Sequence, residues 1–198
     1  MIDQFRKLIY LHPSKTGGTS IEKAFLRDLV GRETKVEQAA PLLFLYSGNS
    51  NQHWPLQKLI NTLPFTKDWR KIASVRHPYT RVISEFRYQL AGKRKRSRCC
   101  KSKHKCYADK DINLAIRSKK IWENSYAYHN EPQYKYVSED VELIRFESLE
   151  DDFKRLTGLS DLPHEQKGAD FRPELSEQSK EIIYKRYKKD FDVLGYDR

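Results

Sequence analysis

The stretch Lys7-Leu8-Ile9-Tyr10-Leu11-His12-Pro13-Ser14-Lys15-Thr16-Gly17-Gly18-Thr19-Ser20 decides the fold. Its unbroken apolar run, Leu8 to Leu11, reads as a short buried strand over Lys7 to His12. Pro13 to Gly18 reads as a tight loop, whose two glycines permit positive φ angles and close approach of a ligand to the backbone. Thr19 to Val30 then reads as a helix with Ile21, Ala24, Phe25 and Leu29 on its apolar face. Strand, glycine loop, helix is the opening of a nucleotide-type α/β fold. Thr19 and Ser20 put hydroxyls at a helix start whose first N–H groups have no intrahelical acceptor, and Lys15 adds a flexible charge. That is chemistry for a phosphate or sulfate. The plain alternative is a Gly-Gly turn with a capping Thr; Lys, Thr and Ser packed around it, directly after a buried strand, argue for the anion site. The pattern G-x-x-x-x-G-K-[ST] fails here, because Lys15 precedes the glycines, and this disfavours a standard NTPase or kinase.

Further along, Val75-Arg76-His77-Pro78-Tyr79-Thr80-Arg81-Val82-Ile83-Ser84-Glu85-Phe86-Arg87-Tyr88 forms a second constellation. Arg76 ends an apolar strand, Lys71 to Arg76, and Pro78 turns the chain into a helix reaching about Ala91. Ile83, Phe86 and Leu90 make an apolar stripe on it, with Arg81, Ser84 and Tyr88 on a neighbouring polar one. A guanidinium at a strand end and a hydroxyl on the next helix can grip a compact dianion, and Arg does so with a fork of donors. The rival account is a surface Arg paired with Glu85 and a solvent-facing Ser.

Between the two constellations, Leu42 to Tyr46 reads as a strand, Ser47 to His53 as a polar loop, and Pro55 as the first turn of a helix through Leu63. After them, Asp111 to Trp122 reads as a helix, Val141 to Phe146 as a strand, and Ser148 to Thr157 as a helix closed by Gly158. A last helix covers Ser176 to Asp190, followed by a docking tail of Phe191, Leu194 and Tyr196. Alternating strands and helices imply a three-layer α/β body with a mainly parallel sheet flanked by helices. With 198 residues and no linker or repeat, a single domain over 1–198 is expected, carrying a basic insert at about 92–110.

Lys and Arg outnumber Asp and Glu by 38 to 27, so the chain carries +11 and favours an anionic partner. Charge alone does not choose among nucleotide, nucleic acid, acidic glycan and membrane surface. Much of the excess lies from Lys93 to Lys105, a stretch that reads as a solvated loop able to attract an anionic acceptor. It continues to Cys106 and holds Cys99, Cys100 and His104. These match no common zinc spacing, so no metal is expected. An odd, clustered set of cysteines is not a disulfide scaffold, although Cys106 could pair with one of the others in an oxidising compartment. No run approaches a membrane span and the first residues lack the apolar core of a signal peptide, so the chain as written is expected in the cytoplasm. A catalytic piece of a membrane-anchored parent would read the same way.

The first loop resembles the 5′-phosphosulfate loop of the sulfotransferases, in the form H-x-P-K-[TS]-[GA]-G-T-S of carbohydrate and related bacterial enzymes. Ser14 departs from it, standing where the family has Pro, with Pro13 one place earlier. The second segment is similar to the family's 3′-phosphate signature, R-[DN]-P-x-x-R-x-x-S-x-x-x-[YF], with His77 at the Asp/Asn position. Weaker likeness continues in Asn130 to Gln133, Ile144 to Glu147 and Asp190 to Tyr196.

The resemblance implies a P-loop-NTPase-like sulfotransferase fold. It implies a donor, 3′-phosphoadenosine-5′-phosphosulfate (PAPS), and an acceptor hydroxyl on a carbohydrate, anionic or not. It further implies Lys15, Thr16, Gly17, Gly18, Thr19 and Ser20 around the 5′-phosphosulfate, and Arg76 and Ser84 on the 3′-phosphate with Arg81 in support. Lys15 is then also catalytic, stabilising the leaving phosphate. By positional analogy with related carbohydrate enzymes the base is His53, in the polar loop between the two blocks; Glu22 and Glu85 are the alternatives, and a solvated loop histidine is the plain reading. His12 reads as structural, His77 faces the second block, and His104, His129 and His164 carry no other catalytic signal. Two other classes stay in view: a nucleotide kinase, and a nucleic-acid-binding protein using the basic insert, which has no stacking motif beside it.

Overall fold

The computed structural model describes residues 1–31, 50–96, 111–123, 128–163 and 173–198. In chain order its elements are β1 (Ile2–Asp3), β2 (Leu8–Leu11), α1 (Gly18–Gly31), α2 (Leu56–Thr62), β3 (Arg70–Val75), α3 (Pro78–Arg96), α4 (Ile112–Arg117), β4 (Val141–Arg145), α5 (Leu149–Thr157) and α6 (Glu177–Leu194). They fall into two compact units, Met1–Arg76 with Tyr126–Gln166 and His77–Ser125 with Lys167–Arg198.

The first unit holds the sheet, in the order β1-β2-β3-β4. β2, β3 and β4 run parallel, Leu8 to Leu11 facing Arg70 to Ala73 and Lys71 to Val75 facing Val141 to Arg145, while β1 is antiparallel to β2. Parallel strands covered on both faces read as continuous apolar runs, which is why Leu8 to Leu11 shows no alternation. On one face, Leu8, Tyr10, Ile72 and Ile144 pack with Ile21, Phe25 and Leu29 of α1 and Phe153 and Leu156 of α5. On the other, Ile9, Leu11, Ala73 and Val141 pack with Leu59 of α2 and with Tyr136. Fully burying each such side chain contributes about 1.5–3 kcal/mol. The architecture is therefore α/β, a mainly parallel sheet flanked by helices.

The second unit is helical. Val82 and Phe86 of α3, Ile112, Ala115 and Ile116 of α4, and Ile183, Tyr187 and Phe191 of α6 form its core. Asp111 caps α4 by accepting from the amides of Asn113 (2.8 Å) and Leu114 (3.2 Å).

Several boundaries differ from the sequence reading. β1 was not anticipated, since two residues are too few to show a period. α3 continues to Arg96, so Lys93 to Arg96 are helical rather than loop, as the good helix propensity of Lys and Arg allows. The rest of the basic insert, 97–110, with all three cysteines and His104, lies outside the described residues, as do Leu42 to Tyr46 and His164. α4 stops at Arg117, and residues 118–122 form turns. α6 reaches Leu194 before Gly195 ends it at φ 65°, so Phe191 and Leu194 belong to a helix and not to a tail. Among the described residues no helix is long and apolar enough to cross a membrane.

Candidate active site

Parallel strands deliver their following loops to the carboxyl ends of the strands, and the loops after β2 and β3 bring most of the expected site residues there. The loop after β2 is held by its own side chains. Thr16 Oγ1 donates to the Pro13 carbonyl at 2.6 Å and lies 2.6 Å from Ser74 Oγ, which in turn is 2.6 Å from the Tyr10 hydroxyl. One hydrogen per hydroxyl sets the direction: Tyr10 donates to Ser74, Ser74 to Thr16, Thr16 to the carbonyl. Burial pushes the Tyr10 hydroxyl well above its usual range, which keeps the proton on the first donor. Thr16 is fully buried, its hydroxyl taken up by the Pro13 carbonyl and Ser74. Ser14 Oγ donates to the His129 carbonyl at 2.6 Å.

Lys15 and Gly17 sit in the left-handed region, at φ 66° and 86°. Gly17 accepts this freely, whereas Lys15 adopts it at a cost of about 1–2 kcal/mol, a strain typical of ligand-gripping loops. A Cβ on Gly17 would lie 3.2 Å from both Leu149 and Phe146. α1 begins at Gly18, and Ser20 N donates to the Gly17 carbonyl at 3.0 Å. The amides that open this helix have no acceptor within it, and its dipole favours an anion in front of them. Thr19 and Ser20 are half-buried in its first turn.

Arg76 follows β3. Its guanidinium lies 3.8 Å above the Phe146 ring centre, and Nη1 donates to the Lys15 carbonyl at 3.3 Å. The charges expected for a 5′-phosphosulfate and a 3′-phosphate, Lys15 and Arg76, are thus joined through one peptide group.

His53 ends a 3₁₀ turn, Ser50–His53, and is 5% exposed, a buried residue rather than a solvated loop one. Its carbonyl accepts from the Tyr136 hydroxyl at 2.7 Å. Its Nδ1 donates to the His12 carbonyl at 2.7 Å, which puts the ring proton on Nδ1 and leaves a lone pair on Nε2. The Gln52 side-chain amide donates to that Nε2 at 3.0 Å. The His53 ring meets His12 edge-on at 4.6 Å and His129 at 5.1 Å. Next to His53 and His129 in the chain stand Trp54 and Tyr128, with Lys58 Nζ 5.0 Å and 5.2 Å from their ring centres and bonded to the Tyr128 hydroxyl at 2.6 Å. Tyr128 is itself left-handed, at φ 69°.

Lys15, Thr16, Gly17, Gly18, Thr19, Ser20, His53 and Arg76 therefore all lie in the first unit, while Arg81 and Ser84 lie on α3 in the second. Arg81 is buried there, 4.0 Å from Asp190 and 5.5 Å from the Tyr187 ring, and it supports α3 against α6. Ser84 is half-buried. Of the alternative bases, Glu22 is buried against His12, and Glu85 is buried accepting from Gln89 at 3.0 Å. His77 belongs to an aromatic cluster with Tyr79, Phe191 and Tyr196, its Nε2 donating to the Asp197 carbonyl at 3.1 Å. Among the described residues, no group of three or more His, Cys, Asp or Glu is arranged to hold a metal ion.

Sequence reasoning passed over Gln133, Phe146 and His129. The first two stood in stretches already noted, Asn130 to Gln133 and Ile144 to Glu147, and could have been found there. His129 had no local signal, because its partners Ser14 and His53 are distant in the chain.

A family model described as the sulfotransferase family matches residues 1–197. Comparison with curated proteins and with solved structures returned no match.

Proposed function

The chain belongs to the sulfotransferase family, and from that premise we propose that it moves the sulfuryl group of PAPS to a hydroxyl of a carbohydrate acceptor. The observation that carries this reading is the pair of cations on one frame, Lys15 in the strained loop and Arg76 bonded to its carbonyl, together with a buried imidazole, His53, bonded to the His12 carbonyl at the head of the same loop. A cradle with Lys15 and Gly17 left-handed, in front of a helix start, fits a phosphosulfate. The assignment of Arg76 and Ser84 to the 3′-phosphate rests on the sequence signature.

The chemistry is an in-line displacement in which positioning and charge stabilisation dominate. The acceptor oxygen forms a bond to sulfur as the bond from sulfur to the phosphate oxygen breaks, and adenosine 3′,5′-bisphosphate leaves. His53 Nε2 takes the hydroxyl proton, displacing the Gln52 amide from that lone pair. Lys15 and the first amides of α1 stabilise the charge growing on the leaving oxygen. A carbohydrate suits the aromatic faces of Trp54 and Tyr128, and Lys58 with the net +11 suits an acidic one.

The test is His53→Ala. Turnover with PAPS should fall by about 10² to 10⁴, the usual cost of a lost general base, while binding of adenosine 3′,5′-bisphosphate persists. Near-normal kcat would remove His53 as the base. Stabilisation by ATP but not by adenosine 3′,5′-bisphosphate would return the kinase reading.

A further inference from the structure

One buried carboxylate has no part in the chemistry above. Glu22, on the second turn of α1, is 3% exposed, and its Oε1 lies 3.0 Å from Nδ1 of His12, which is equally buried. Burying an ionisable pair is costly unless each partner is satisfied, so the contact must be explained. An ionised carboxylate only accepts, so with Glu22 as the carboxylate His12 Nδ1 is the donor.

Three features converge on His12. Its ring is gripped by Glu22 and lies across Gly18, where even a methyl group would clash with ring atoms Cδ2 and Nε2. Gly18 and Glu22 are four residues apart and share one face of α1, so the imidazole spans the helix start and its next turn. Its carbonyl accepts the Nδ1 proton of His53 at 2.7 Å. The groups around this residue are therefore Glu22, the Tyr10 ring at 5.9 Å, and the His53 ring at 4.6 Å with His129 behind it.

We infer that His12 and Glu22 are positioning residues: Glu22 clamps the His12 ring against Gly18, and the clamped residue presents the carbonyl that keeps the proton of His53 on Nδ1. The physical reason is that a neutral imidazole has two tautomers, and only the one with a bare Nε2 can take a proton from that nitrogen's side. The same clamp ties the base to the first residue of the phosphate-loop helix, so base and leaving-group stabilisers move as one body. Reactions of this kind lose rate steeply with small misplacement. The catalytic consequence rests on His53 being the base; the tautomer assignment does not.

The experiment is ring-nitrogen NMR of His53 in the full chain, above the imidazole titration range, together with steady-state kinetics. In the wild type, His53 should report the Nδ1–H tautomer. In Glu22→Ala it should report a mixture of tautomers, and kcat should fall about 10- to 100-fold, the usual loss when an orienting partner is removed, with a smaller change in KM for PAPS. Glu22→Gln, whose amide oxygen still accepts from His12 Nδ1, should recover most of that loss. If Glu22→Ala fails to fold, Glu22→Asp, whose carboxylate is one methylene short of His12, is read by the same signals. An unchanged Nδ1–H signal in the variant overturns the inference, whatever happens to kcat or Tm. A changed tautomer with unchanged kcat upholds the clamp and removes His53 as the base, so the two failures are distinguishable.

Discussion

Gln133 and Arg76 form a reciprocal pair: Arg76 N donates to Gln133 Oε1 and Gln133 Nε2 donates to the Arg76 carbonyl, each at 2.8 Å. The amide side chain thus treats the residue after β3 as a neighbouring strand would, and Gln133 is fully buried in doing so. Gln133→Ala should lower stability by about 1–3 kcal/mol, because both backbone groups of Arg76 lose a partner. It should also reduce the rise in Tm produced by adenosine 3′,5′-bisphosphate, since the Arg76 guanidinium is carried on that backbone. A full ligand-induced rise in the variant would separate Gln133 from the site.

Lys15 combines a charge with a left-handed backbone, and the two can be taken apart. Lys15→Ala and Lys15→Gly should both cost about 10² to 10³ in kcat, with smaller losses in nucleotide affinity, because the charge matters most as the leaving phosphate develops its own. The glycine variant should be the more stable of the two by roughly 1 kcal/mol, having no strain at this φ. Loss confined to KM for the donor would make Lys15 a binding residue only.

Lys58 is exposed between the Trp54 and Tyr128 rings. With an acidic saccharide as acceptor, Lys58→Ala should raise its KM about 3- to 10-fold at low salt, and the difference should shrink as salt is added. A neutral saccharide should be indifferent to the change. Equal effects on both acceptors would deny the ammonium any part in recognising charge.

Gly18 and Gly158 differ in what a methyl group would meet. At Gly18 it collides with the clamped His12 ring; at Gly158, φ 73°, there is nothing within 4 Å. Gly158→Ala should cost about 1–2 kcal/mol from backbone strain alone and leave nucleotide affinity as it was. Gly18→Ala should cost at least as much through overpacking, about 1–3 kcal/mol, and also weaken nucleotide binding, measured by urea unfolding and by titration.

Asp152 ties the end of β4 to the first turns of α5. It accepts from the Arg145 amide and the Ser148 hydroxyl, both at 2.9 Å, and from Arg155 at 2.7 Å. Burial pushes its carboxyl upward, but the bonds from Arg155, the Arg145 amide and Ser148 outweigh that and hold it below the ordinary Asp value. A depressed carboxylate contributes stability that is complete above the unfolded-state pKa and is lost as pH falls through the folded-state one. Asp152→Asn should therefore lower stability at neutral pH by roughly 1–2 kcal/mol and flatten the acid limb of the Tm profile below about pH 4. An unchanged acid limb would show that other carboxylates carry it.

Local signals were sufficient for the strand, loop and helix around Lys15, for the parallel-strand runs, and for caps such as Gly158, because periodicity, glycine and proline act within a few residues. They singled out Lys15 and Arg76 for the same reason: one lies in the loop that follows a strand and the other comes directly after one, and both places are visible in sequence. They left His53 in a polar loop, Glu22 as an alternative base and His129 without a role. Those residues gain their meaning from contacts across 41 positions (His53 to His12), 10 positions (His12 to Glu22) and 115 positions (Ser14 to His129). A buried polar pair leaves no period in the chain and is selected only when the fold has removed water from both partners. The strand, loop and helix around Lys15 were thus legible in the order of residues, whereas the hydrogen bond of the His53 ring was decided by the tertiary structure, through the His12 carbonyl just after β2.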